Sequence, residues 1–254
     1  MRKIDLNCDC GEGYGIYQLG QDERIVKYVS SVNIACGLHA GDPFVIAKTV
    51  QLAREQNAAV GAHPGFPDLM GFGRREITLT NDEIYNLVIY QIGVMQAFCK
   101  SQNIQLHHVK PHGALYNMAA KDMNIAKAIV RAIKDLDTQL IIYGLANSKL
   151  IEAADEVNLP YASEVFADRV YLNDGNLMSR NLKGSVHENI DSMIEQALIL
   201  IIEGKVSCDN GEKISLNADT ICIHGDNANA YQFVKTLRDR LQELMINVCP
   251  VGSK

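Results

Sequence analysis

Ile4-Asp5-Leu6-Asn7-Cys8-Asp9-Cys10-Gly11-Glu12-Gly13 is the stretch on which the fold is read. A strand-like run over 4–8 ends in a carboxylate and then in glycines, which permit tight turns and close approach of backbone to a ligand. The unit recurs along the chain. Apolar runs at 32–36, 59–62, 106–109, 140–143, 161–165 and 220–223 come after it. Between them lie segments with apolar residues every three or four positions, at 44–56, 82–101, 124–135, 148–157, 187–203 and 228–244. Such alternation predicts parallel strands joined by right-handed helical crossovers. Asp42-Pro43 and Thr80-Asn81-Asp82-Glu83 read as helix starts. Asn210-Gly211 reads as the turn of a small hairpin inserted before the last barrel strand. Seven βα units predict one domain over 1–254, a distorted seven-stranded parallel β/α barrel of the TIM-like type. A doubly wound open sheet is the alternative, and it places a site at the same strand ends.

Composition narrows the function classes. Lys and Arg number 24 against 30 Asp and Glu, a formal net charge of -6. No basic run tracks a phosphate backbone, so nucleic acid is not expected as a partner. The most apolar stretch, 197–202, is too short to span a bilayer. The first residues carry no apolar signal core, and the expected location is the cytoplasm. The seven cysteines are scattered without a CxxC pair, which excludes a zinc ribbon or thioredoxin motif. Cys8, Cys36 and Cys222 sit in apolar runs and read as small buried hydrophobes.

The residues just past each apolar run carry the chemistry. The runs lead into Gly37-Leu38-His39-Ala40-Gly41-Asp42, Gly61-Ala62-His63-Pro64-Gly65, Lys110-Pro111-His112-Gly113-Ala114, Glu164-Val165-Phe166-Ala167-Asp168-Arg169 and His224-Gly225-Asp226. Four of the seven histidines thus come directly after a strand, beside small residues. Any one of them reads equally well as a ring bonded to a loop carbonyl. Four at equivalent places, facing one another across the carboxyl end of the sheet, read as a site. Long polar loops at 64–77 and 167–184 lie on the same face and bring Arg74, Arg75 and Arg169.

Three chemistries compete for that site. Asp9, His39 and His63 are ligand types for a divalent metal, although no HxH or HExxH spacing supports one. Metal-free amide hydrolysis would use a carboxylate or His as base, with His or Lys110 polarising the carbonyl. A nucleotide site is the third option. Gly11-Glu12-Gly13-Tyr14-Gly15 is not GxGxxG and no GxxxxGK[ST] occurs, which excludes a P-loop and leaves other nucleotide sites open.

These motifs resemble the LamB/YcsF-like family. The matching stretches are Asp5-Leu6-Asn7-Cys8-Asp9, Asn33-Ile34-Ala35-Cys36-Gly37, Gly61-Ala62-His63-Pro64, Gly71-Phe72-Gly73-Arg74-Arg75 and Val109-Lys110-Pro111-His112-Gly113-Ala114-Leu115-Tyr116, with Glu164–Arg169 and His224-Gly225-Asp226 later. Cys10, Leu38 and Gly65-Phe66 depart from the usual Leu, Phe and Ser-Tyr, and none of these changes removes a polar candidate. The resemblance implies a barrel of the glycoside hydrolase and deacetylase type. It also implies an ATP-dependent 5-oxoprolinase activity that opens 5-oxoproline to glutamate, with two partner subunits, B and C. The implied cofactor is ATP with magnesium, and no tightly bound transition metal is expected. With the strand-end positions, it points to Asp9, Glu12, His39, His63, Lys110 and His112 as catalytic candidates. Arg74, Asp168, Arg169, His224 and Asp226 are the substrate-binding candidates. Asp9, with its pKa raised by partial desolvation, is the expected general base. A metal-dependent deacetylase or carbohydrate-processing hydrolase on the same barrel is the other enzyme class, and a non-catalytic scaffold for partners the third reading.

Overall fold

The structure is a computed structural model and describes residues 2–180, 182–187, 189–224 and 229–253. In chain order it forms β1 (Lys3–Cys10), α1 (Asp22–Ile25), β2 (Ser31–Ala35), α2 (Pro43–Glu55), β3 (Ala59–His63), α3 (Asn81–Ser101), β4 (His108–Val109), α4 (Gly113–Ala119) and α5 (Met123–Leu136). Next come β5 (Ile141–Leu145), α6 (Lys149–Glu156), β6 (Tyr161–Phe166), α7 (Ile190–Glu203), β7 (Lys205–Ser207), β8 (Lys213–Ser215), β9 (Thr220–Ile223), α8 (Ala230–Glu243) and β10 (Asn247–Val248). Strands β1 to β6 pair in sequence, all parallel, and β9 joins β6 to β1. The β1–β9 ladder aligns Asp5 with Thr220 and Cys8 with Ile223. That pairing closes the ring into the expected seven-stranded barrel and removes the open-sheet alternative. The hairpin β7–β8 is antiparallel with its turn at Asn210-Gly211, as expected, and β10 pairs parallel to the start of β1.

Successive side chains of a strand point to opposite faces. On β1 this sends Ile4, Leu6, Cys8 and Cys10 into the apolar shell between strands and helices. That shell also takes Val32 and Ile34 of β2, Val60 and Ala62 of β3, and Ile221 and Ile223 of β9. Helix α3 contributes Ile84, Val88, Ile92 and Met95 to it, and α5 adds Ile125, Ile129 and Ile133. Full burial of one such side chain contributes about 1.5–3 kcal/mol, so this layer supplies the driving force for folding.

The inward face is different. Small barrels usually fill their interior with branched apolar residues. Here the interior is a connected set of polar side chains. Asp5 accepts from Ser30 (2.6 Å), Ser31 (2.8 Å) and Thr220 (2.7 Å). Asn7 donates to Glu164 (2.9 Å) and Thr220 (2.7 Å) and accepts from Asn33 (2.7 Å). His108 meets Asn33 Oδ1 at 2.8 Å and stacks on Tyr143 with ring centres 4.1 Å apart. Gly61 makes room for that ring, since a Cβ there would lie 2.1 Å from His108 Nε2. Buried polar groups are tolerated when each finds partners, and Asp5, Asn7, Asn33 and His108 do.

The helix starts match the sequence reading. Asp42 caps α2 by accepting from Phe44 N and Val45 N, with Pro43 in the first turn. Thr80 and Glu83 form a reciprocal capping box on α3. Other boundaries moved. β1 runs two residues further than expected, which places Asp9 inside the strand. β4 is cut to two residues at its start: only His108 and Val109 pair with β3 and β5, and Leu106 and His107 lie outside the strand. α7 begins at Ile190, capped by Asn189, rather than at residue 187. α4 and β10 were not expected from the sequence. Among the described residues, no helix is long and apolar enough to cross a membrane.

Candidate active site

All seven barrel strands deliver their carboxyl ends to one mouth, where a cavity of about 640 Å³ opens. Asp9, Glu12, His63, Arg74, Lys110, His112, Arg169 and His224 line it. His39 lies flat against His112, with ring centres 3.8 Å apart and planes 4° from parallel. Asp168 reaches the site through His224. The expected residues therefore converge, except Asp226, which lies outside the described residues.

On the cavity floor, Asp9 Oδ1 accepts from Lys110 Nζ at 2.9 Å and from Asn33 Nδ2 at 2.8 Å. Lys110 Nζ also contacts Glu164 Oε1 (2.9 Å), Cys222 Sγ (3.0 Å) and Asn7 Oδ1 (3.3 Å). Glu164 Oε2 accepts from the Tyr116 hydroxyl at 2.7 Å. Burial alone would push the Asp9 carboxyl up, but the Lys110 ammonium and His63 hold it well below the usual carboxylate range. Burial opposes the charge of Lys110, yet Asp9, Cys222 and Glu164 drive its ammonium well above its usual range. This corrects the expectation of an Asp9 with raised pKa. Asp9 is a fixed anion and a poor base. Lys110 is also recast: an ammonium has three protons, and four acceptors surround this one. Its ammonium is engaged with Asp9 and Glu164 while it lines the cavity.

One wall is built of histidines. A carbonyl only accepts, so each ring nitrogen facing one must carry a proton. His63 therefore donates from Nδ1 to Lys110 O (2.7 Å), and His112 donates from Nε2 to Phe72 O (2.8 Å). Their other nitrogens, His63 Nε2 and His112 Nδ1, face each other at 2.9 Å. Asp9 Oδ2 lies 3.6 Å from His63 Nε2, and Glu12 Oε1 lies 3.8 Å from His112 Nδ1. Burial pushes His112 down to about 3 and takes His39 well below its ordinary value. Both nitrogens of His39 are buried without a hydrogen-bond partner among the described residues. Gly65 makes its close packing feasible, because a Cβ there would sit 2.6 Å from His39 Nδ1. Donor atoms of Glu12, His39, His63 and His112 all lie within 4.8 Å of one another, as do those of Asp9, Cys222 and His224. The missing HxH spacing therefore says little about metals here, because the donors arrive on separate strand-end loops.

The opposite wall is cationic. His224 donates from Nδ1 to Asp168 Oδ2 (2.9 Å) and accepts at Nε2 from Arg180 (2.7 Å), because an arginine only donates. That fixes His224 as a neutral ring of one tautomer. Arg169 donates to Met178 O through Nη2, while its Nε is buried without a partner among the described residues. Burial brings its guanidinium down to about 10, and it stays charged near neutrality. Arg74 is exposed at the rim, with its guanidinium 5.0 Å from the Phe72 ring centre. Arg75 is paired with Asp68, away from the cavity.

Residues missed as site candidates are Asn7, Asn33, His108, Tyr116, Glu164, Arg180 and Cys222, which tie the floor and walls together. A signal was present in Asp5-x-Asn7-x-Asp9: three polar residues at period two within an otherwise apolar run mark one strand face as polar.

Comparison with known proteins agrees over the whole barrel. The chain is 50% identical over 248 residues to the 5-oxoprolinase A subunit of Tolumonas auensis, covering 98% of this chain and 99% of that one. It is 52% identical to the protein of the same name from Alkaliphilus metalliredigens, covering 98% and 97%. The crystal structure of the lactam utilization protein from Thermus thermophilus superposes with a TM-score of 0.92 at 43% identity, over 97% of this chain and 99% of that one. The LamB/YcsF family model matches residues 4–254, and with these barrel-mouth residues in place the chain belongs to the LamB/YcsF family.

Proposed function

We propose that this chain is the ring-opening subunit of an ATP-dependent 5-oxoprolinase and works with two partner subunits, B and C. The overall reaction converts 5-oxoproline, ATP and two waters into glutamate, ADP and phosphate. The carrying observation is the polarity of the cavity, with a buried guanidinium whose Nε has no partner among the described residues on one wall and the Asp9 anion beside the His63–His112 pair on the other. A cyclic amide bearing a carboxylate has the same two poles. Arg169 grips the ring carboxylate, since a planar guanidinium can bind both oxygens, and it is better placed than the exposed Arg74. The lactam carbonyl, or its phosphorylated form, faces the histidine wall. Attack of water breaks the ring C–N bond, forms the new C–O bond and returns a proton to nitrogen. Asp9 stabilises positive charge on the histidine wall during that step.

A five-membered lactam is a stabilised amide, and phosphorylation of its oxygen by ATP with magnesium supplies the leaving tendency that hydrolysis needs. The chain lacks a P-loop, and this favours activation elsewhere in the complex. The names carried by the relatives support the same reading. The test is reconstitution with subunits B and C and measurement of glutamate released from 5-oxoproline. Arg169→Lys should raise the apparent KM for 5-oxoproline far more than that for ATP. Equal effects on both substrates, or no glutamate from the complete mixture, would refute the assignment. A metal-dependent deacetylase on the same barrel is the second reading, favoured by the four gathered metal donors. Acetate release from an N-acetylated sugar by the isolated chain would select it.

A further inference from the structure

His63 and His112 pose an electrostatic problem. Each ring directs its one N–H to a backbone carbonyl, so in their neutral forms both remaining nitrogens present lone pairs, and these meet at 2.9 Å. Two lone pairs at that separation repel unless a cation joins them. We propose that His63 Nε2, His112 Nδ1 and the Glu12 carboxylate form the binding site of a divalent first-row transition ion, with His39 as a weaker fourth ligand. This inference goes beyond the lactam reading and does not depend on it.

Four observations carry it. First, both rings are oriented by backbone carbonyls, the outer-sphere arrangement that fixes the tautomer of a metal-binding histidine. Second, a separation of 2.9 Å is what two nitrogens span when each lies about 2.0–2.1 Å from a common ion at roughly a right angle. Third, Glu12 Oε1 is 3.8 Å from His112 Nδ1, and Asp9 Oδ2, 3.6 Å from His63 Nε2, adds a second negative charge nearby. Fourth, His39 is buried with neither nitrogen bonded among the described residues, although its donor atom is within 4.8 Å of the other three. Leaving a buried polar group unsatisfied is costly, and an ion would give this ring a partner. His39 stacks parallel on His112, so it joins the set only by tilting out of the stack. That geometry is why it ranks as the weaker ligand. A proton shared between His63 and His112 would relieve their repulsion and still leave His39 without a partner.

Imidazoles with one carboxylate suit zinc, cobalt, nickel, manganese or iron, whereas magnesium prefers oxygen ligands and water. The site is therefore distinct from any magnesium that accompanies ATP. An ion there would present a Lewis acid to the cavity.

The experiment uses the full chain without a histidine tag, stripped by chelator and then dialysed against cobalt(II) or zinc(II). Elemental analysis should find one ion per chain, and bound cobalt should show visible ligand-field bands. His63→Ala and His112→Ala should each weaken binding by more than about 100-fold, beyond the loss expected from an outer-sphere partner. Glu12→Gln should weaken it by about 10-fold or more, His39→Ala less than either of the other two histidines, and His187→Ala, whose ring lies outside the gathered donors and meets Gln196, not at all. X-ray absorption on wild-type cobalt protein, counting at least two imidazole neighbours, keeps the test decisive should an alanine variant fail to fold. Failure to retain a stoichiometric ion would overturn the proposal. So would unchanged binding in His63→Ala and His112→Ala, or nitrogen NMR showing only a shared proton in metal-equilibrated protein. None of these readouts uses glutamate formation, so the lactam reading stands or falls separately.

Discussion

Lys110→Met tests whether the floor of the site is a charge-balanced unit. The substitution keeps most of the aliphatic stem and removes the ammonium that lies 2.9 Å from both Asp9 and Glu164. Removing one partner of a buried ion pair costs about 3–5 kcal/mol, and here two acids lose the same cation, which favours the upper part of that range. For a chain of this size the loss corresponds to a fall in Tm of about 6–20 °C. The pH dependence is the sharper readout. In the wild type the Asp9 carboxyl is held below its unfolded value of about 3.9, so its contribution is complete above that pH and is lost as pH falls through the lower folded value. In the variant, burial is left to raise the same carboxyl, and the folded state then binds its proton more tightly than the unfolded state. The penalty should accordingly shrink between about pH 8 and about pH 5. Urea unfolding followed by circular dichroism at both values measures it. A penalty below about 1 kcal/mol, or one identical at both pH values, would refute the ion-pair account.

Asp9→Asn should leave the fold intact and lower glutamate formation in the reconstituted complex by about 100-fold or more, since it removes preorganised charge at the histidine wall; near wild-type turnover would count against the role. Gly61→Ala should lose about 1–3 kcal/mol or more in denaturant unfolding, because the new Cβ meets the His108 ring, which is backed by Tyr143. Thr80→Ala should cost about 1 kcal/mol through the lost capping box of α3 and leave KM values unchanged.

Periodicity and punctuation were enough for the architecture. Seven apolar runs give seven barrel strands in order, with some ends shifted, and the Asp42-Pro43 and Thr80–Glu83 helix starts and the Asn210-Gly211 turn appear as read. α4 escaped because its first turn belongs to the Lys110–Ala114 strand-end motif, and two-residue β10 is too short to show a period. The site candidates came together because strand ends converge in any barrel. Their protonation did not follow from sequence. Asp9 owes its state to Lys110, which is 101 positions away, and to the low-dielectric floor they share. Arg74 and Arg169 look alike as residues, and only burial separates the rim cation from the one lodged in the wall. The polar interior was half visible as Asp5-x-Asn7-x-Asp9, but a hydrogen-bond network needs knowledge of which strand stands beside which.

The β1–β9 ladder has a consequence for how the molecule is made. Residues 5–8 find their partners at 220–223, so during synthesis β1 waits for a strand 215 positions further along. Until then Asp5 and Asn7 lack Thr220, and Lys110 lacks Cys222 beside it. Contacts this distant in sequence close late, after most of the loop-closure entropy has been spent. A chain that stops short of β9 thus lacks the partners that complete the barrel mouth. The barrel seam ties the mouth to the two ends of the fold: its floor is complete only when residues 220–223 stand beside residues 5–8.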